Sequence, residues 1–84
     1  MELIKKELKK IPYSLTKSEL VKMCYPLSER KVRHRINTII YDMRKNQESY
    51  RNLSMREIIA THQIERKEIV EYFETYGIPA GFEF

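Results

Sequence analysis

Arg30, His34, Asn37 and Tyr41 recur at intervals of four, three and four, the spacing that stacks side chains along one face of a helix. Their shared chemistry is hydrogen bonding to flat polar edges. An arginine fork bonds two acceptors at once, as on guanine, and an asparagine amide pairs donor with acceptor, as on adenine. Lys31, Arg33 and Arg44 flank that face, and cations so placed neutralise phosphates whatever the base sequence. The residue types are those of a base-reading face (Arg30, His34, Asn37, Tyr41) bordered by phosphate contacts (Lys31, Arg33, Arg44). The plainer reading is a solubilising helix surface on which His34 is an ordinary exposed residue.

Charge segregation bears on the choice. Residues 1–45 hold twelve Lys/Arg against five Asp/Glu, and residues 46–84 hold four against seven, so the halves carry +7 and −3 of the net +4. A basic half implies a polyanion, for which nucleic acid is the default. An acidic half implies shielding of the fold or contact with another protein. Glu68, Glu71 and Glu74 repeat at helical spacing in that half and are the candidate partner-facing residues.

Other chemistry finds little support. One cysteine, Cys24, and two separated histidines, His34 and His62, do not make a zinc ligand set. The carboxylates lie in polar helical patterns that lack the burial a general acid needs, and no Gly-rich phosphate loop is present. The expectation is therefore no enzyme, no metal, no cofactor and no small-molecule substrate. Cys24 reads as a small buried hydrophobe. No charged-then-apolar leader and no apolar run of membrane-spanning length occurs, which points away from secretion and from the membrane, towards the cytoplasm.

The elements that position these residues are helical. Two glycines and three prolines in 84 residues argue against a turn-rich β architecture, and the length suits one domain over residues 1–84. Leu3, Ile4, Leu8 and Ile11 predict a first helix near residues 2–10, stopped by Pro12. Thr16-Lys17-Ser18-Glu19 is a capping box that starts a helix over 17–24, with Leu15 and Leu20 as its hydrophobic staple. Ser28 caps a long helix over 29–45 whose inner face is Val32, Ile36, Ile39, Ile40 and Met43. A second capping box, Ser54 to Glu57, starts a helix over 55–62, and a fifth helix over 65–76 buries Ile69, Tyr72, Phe73 and Tyr76. Gly77 is expected to end it in the left-handed conformation, with Pro79 beyond. Phe82 and Phe84 alternate in a closing segment that reads as a short strand or a docked tail. The fold class is accordingly all-α, a compact domain of about five helices with room for a minimal C-terminal β element.

Thr16 to Ile40 resembles the helix-turn-helix superfamily, including its winged-helix branch. The resemblance rests on a capped short helix carrying Leu20 and Val21, a tight break, Leu27, the Ser28 cap, and Val32 and Ile36 inside the second helix. Tyr25-Pro26 stands where the family has its turn glycine. Glu57 to Tyr72 follows the same spacing, with Gln63 in the glycine position. Leu15-Thr-Lys-Ser-Glu-Leu-Val and Leu53-Ser-Met-Arg-Glu-Ile-Ile also match in pattern, although two copies with unequal gaps do not establish a duplication. The resemblance implies a protein that binds double-stranded DNA, a transcriptional or replication-control factor such as phages and mobile elements use. A homodimer or a protein partner would then meet the acidic half. A second reading stays open: a protein-binding adaptor or inhibitor built on the same scaffold.

Overall fold

The computed structural model describes residues 8–84, in which four helices are joined by short extended segments. β1 is Lys9–Lys10 and β2 is Leu15–Thr16; α1 (Lys17–Met23) and α2 (Glu29–Arg44) follow. A 3-10 turn over Glu48–Tyr50 leads to α3 (Met55–Ile59), β3 (Gln63–Ile64), α4 (Arg66–Tyr76) and β4 (Phe82–Glu83). No helix among the described residues is long and apolar enough to cross a membrane.

Local capping chemistry starts each helix. Thr16 accepts from the Glu19 amide at 3.1 Å while Glu19 accepts from the Thr16 amide at 2.9 Å, and Ser54 with Glu57 repeats the arrangement. Ser28 Oγ accepts from the Lys31 amide at 3.2 Å. Each cap satisfies a backbone donor that the first helical turn leaves without a partner.

The central helix is α2, which packs against the other three. Val32, Ile36 and Ile40 are fully buried along it, and they meet Leu15, Leu20, Ile58, Ile64, Ile69, Tyr72 and Phe73 in one apolar core. The rings of Tyr72 and Phe73 meet edge to face, with centroids 5.4 Å apart.

Two strand pairs accompany the helices; the C-terminal strand falls in the segment expected to be a short strand or docked tail, and the other three strands were not expected. β2 and β3 run antiparallel, Leu15 opposite Ile64 and Thr16 opposite Gln63, and the Lys17 amide extends the ladder to the His62 carbonyl. Thr16 is both the end of a strand and the cap of α1, so the pairing sets the start of α1 beside the start of α4. The helix expected over 55–62 is correspondingly shorter, because the chain must leave it by Ala60 to bring Gln63 and Ile64 into the ladder. β1 and β4 pair in parallel, with Lys9 donating to the Gly81 carbonyl and Ile11 to that of Glu83. The helix expected over 2–10 is thus overturned at Lys9 and Lys10, which are extended; its residues 1–7 lie outside the described residues. Gly77 ends α4 at φ 89° and ψ 159°, a positive-φ conformation other than the left-handed helical one expected.

Candidate nucleic-acid interface

The Ser28 cap opens α2, whose first two turns bury Val32 and Ile36 on one side and leave the other side outward. Arg30, Lys31 and His34 are exposed there, and Thr38 continues the surface with its hydroxyl donating to the His34 carbonyl at 2.9 Å. Among the described residues neither Arg30 nor Lys31 has an ion-pair partner; Glu29, the nearest acid in sequence, is taken by Arg33 at 3.3 Å. Arg33 is half-buried and also donates to Ser18 Oγ on α1 at 3.4 Å, which ties the two helices together and fixes the angle of its guanidinium.

Asn37 and Tyr41 sit lower on the flank of α2, and both are half-buried. The Asn37 carbonyl oxygen is enclosed and without a hydrogen-bond partner, so only a rotated amide would present both of its ends outward. Tyr41 lies under Lys45, whose ammonium is 5.4 Å from the ring centroid.

Arg44 is not a phosphate contact and Glu68 is not a partner-facing residue. Arg44 is 3% exposed and Glu68 is 0% exposed. The guanidinium forks onto the carboxylate, Nε to Oε2 at 2.6 Å and Nη2 to Oε1 at 2.8 Å, and reaches the Gln63 carbonyl at 3.3 Å and the Tyr50 hydroxyl at 3.5 Å. Glu68 Oε1 also accepts from the Glu65 amide at 2.8 Å, which makes the same carboxylate part of the α4 cap. Burial works against the Arg44 charge more than any single contact supports it, but the Glu68 bonds and the nearby Glu68, Tyr50 and Glu65 groups together hold the guanidinium above its ordinary pKa. Charged residues at the edge of an apolar stripe read as surface in a helical pattern. Here the edges of α2 and α4 face each other.

Lys17, also buried, completes the cluster by donating its ammonium to the Ile59 carbonyl at the end of α3. Burial lowers its pKa, Arg33 and Arg44 lower it further, and Glu68 opposes them. Lys17 thus ties α1 to α3 beside the Arg44–Glu68 tie of α2 to α4, and no short motif announces either.

Of the residues selected from sequence, α2 brings Arg30, Lys31, Arg33 and His34 onto one outward surface, with Asn37 and Tyr41 on its shoulder. Glu71 and Glu74 remain exposed on α4. Unanticipated from sequence is a cleft beside α2, where the α1–α2 turn meets the end of α4. Among the described residues no group of three metal-ligating side chains occurs. In comparison with known proteins, no family model, curated protein or solved structure matches the chain.

Proposed function

We propose that this chain is a small double-stranded-DNA-binding protein that acts as a transcriptional or replication-control regulator. The observation that carries the reading is the exposed surface of Arg30, Lys31 and His34, its two cations without an ion-pair partner among the described residues, at the start of a capped helix that follows another capped helix across a tight turn. In this reading the first turns of α2 enter the major groove. Arg30 bonds guanine, His34 meets a neighbouring base edge, and Lys31 and Arg33 neutralise phosphates. Asn37 contributes to adenine recognition only after its amide rotates out. A phage or mobile-element setting rests on analogy of size and fold alone.

The test is titration of labelled duplex, selected from a random pool, against its scrambled counterpart at two salt concentrations. Two phosphate contacts predict roughly a tenfold loss of affinity between about 50 and 200 mM salt. Arg30→Ala should cost about 1 to 3 kcal/mol on the selected duplex and much less on the scrambled one, whereas Lys31→Ala should weaken both alike. Absence of binding at low salt, or affinity that does not respond to salt, would overturn the proposal.

One observation favours the second reading, a protein-binding adaptor or inhibitor. Tyr25, Leu27, Tyr76 and Ile78 are all exposed around a single cleft, and a cluster of large apolar side chains on a small protein marks an interaction surface.

A further inference from the structure

The turn that joins α1 to α2 and the tail that leaves α4 face each other across a half-open cleft of about 250 Å³. Cys24 and Tyr72 form its floor, the buried thiol donating to the phenol at 3.8 Å. Tyr76 forms a wall, and Leu27 and Ile78 stand at the rim, 40% and 44% exposed. Arg35 reaches in from α2, with its guanidinium carbon 4.4 Å from the centroid of the Tyr76 ring.

Three properties define what would fit. The first is charge: Arg35 is half-buried and, among the described residues, has no ion-pair partner, so the cleft repels cations and lacks an anion. The second is the amount of charge. Among the described residues Arg35 is the one charged residue in the lining, which matches a monoanion better than a phosphate carrying close to two charges. The third is size. A cavity of about 150 Å³ holds benzene and sites for drug-sized ligands start near 300 Å³, so this volume suits one ring or one branched chain with a small polar head.

We propose that this cleft binds a small monocarboxylate with an apolar body, the carboxylate forked on Arg35 and the body held among Leu27, Tyr76 and Ile78. The proposal does not rest on the DNA-binding reading, although Arg35 lies one turn from Lys31 on α2. Arg35 is suited to the role because its planar fork bonds both carboxylate oxygens at once while its face stays stacked on the tyrosine.

The experiment uses the full chain, labelled with nitrogen-15, titrated with 3-phenylpropionate, 4-methylpentanoate and the neutral isostere 3-phenylpropionamide. Saturable amide shifts are expected at Cys24, Tyr25, Leu27, Tyr76, Gly77, Ile78 and Ala80, with the acids at least about tenfold tighter than the amide, a gap of about 1.4 kcal/mol. Arg35→Gln, checked for a parental circular dichroism spectrum, should bring the acids down to the level of the amide. Absence of saturable shifts up to ~10 mM, a range that would reveal millimolar binding, would overturn the proposal. Equal binding of acid and amide to the unaltered chain would overturn it too, leaving an apolar cleft without charge selection. Binding of a peptide that ends in leucine, where the free acids do not bind, would replace it with a protein partner.

Discussion

Glu68→Gln isolates the contribution of one buried charge while keeping shape. In the parent, the carboxylate receives two N–H groups from Arg44 and one from the Glu65 backbone, all within 2.8 Å. Glutamine retains a single acceptor oxygen and turns its amide nitrogen towards a donor, so at least one of these bonds is lost and replaced by donor facing donor. Arg44 then remains buried, with Glu65 at 3.7 Å as its nearest carboxylate, and Glu65 is itself 44% exposed. Breaking a buried pair costs about 3 to 5 kcal/mol, and the residual help from Glu65 places this case near 3 kcal/mol. For a chain of this size that corresponds to a fall of about 12 to 24 °C in Tm. Urea unfolding followed by circular dichroism at pH 7 measures the loss directly. The double variant Arg44→Met/Glu68→Leu should recover more than half of it, because two apolar side chains leave no stranded charge. A loss below about 1 kcal/mol in the single variant, or no recovery in the double, would refute the view that this pair locks α2 to α4.

Ser28→Ala should cost about 1 kcal/mol by urea unfolding, since it strips the cap from the first turn of α2. Gly77→Ala should cost about 1 to 3 kcal/mol by the same measurement although the space around the site is open, because φ 89° with ψ 159° suits only glycine. Lys17 has a lowered pKa in the folded chain, chiefly from burial, so between its folded value and the ordinary 10.5 the unfolded chain binds more protons. Stability from this group therefore rises with pH across that window, and the Lys17 contribution, taken as parent minus Lys17→Met in unfolding series up to pH 10, should slope upward. A flat or falling difference would contradict it.

The caps and the apolar stripes were legible in the sequence. Thr16 with Glu19, Ser28 and Ser54 with Glu57 set the starts of α1, α2 and α3, and Val32, Ile36 and Ile40 mark the buried side of α2. Caps act within three residues and stripes within one helix, so both are written in neighbouring positions. The exposure of Arg30 and Lys31 was legible for the same reason, Arg30 lying opposite the apolar stripe and Lys31 on its flank. Tertiary structure alone decided the strand pairs, since Lys9 meets Phe82 and Leu15 meets Ile64 across long stretches of chain. It also decided the fate of Arg44 and Glu68. Each lies at the edge of its own stripe, where local pattern assigns a charge to solvent, and only the approach of α4 to α2 turns those two edges into one dry contact. The Arg35 cleft has the same origin, because its walls come from the α1–α2 turn and the end of α4. Interactions within a turn are set by chain geometry, whereas those between elements are set by which surfaces the packed core brings within reach.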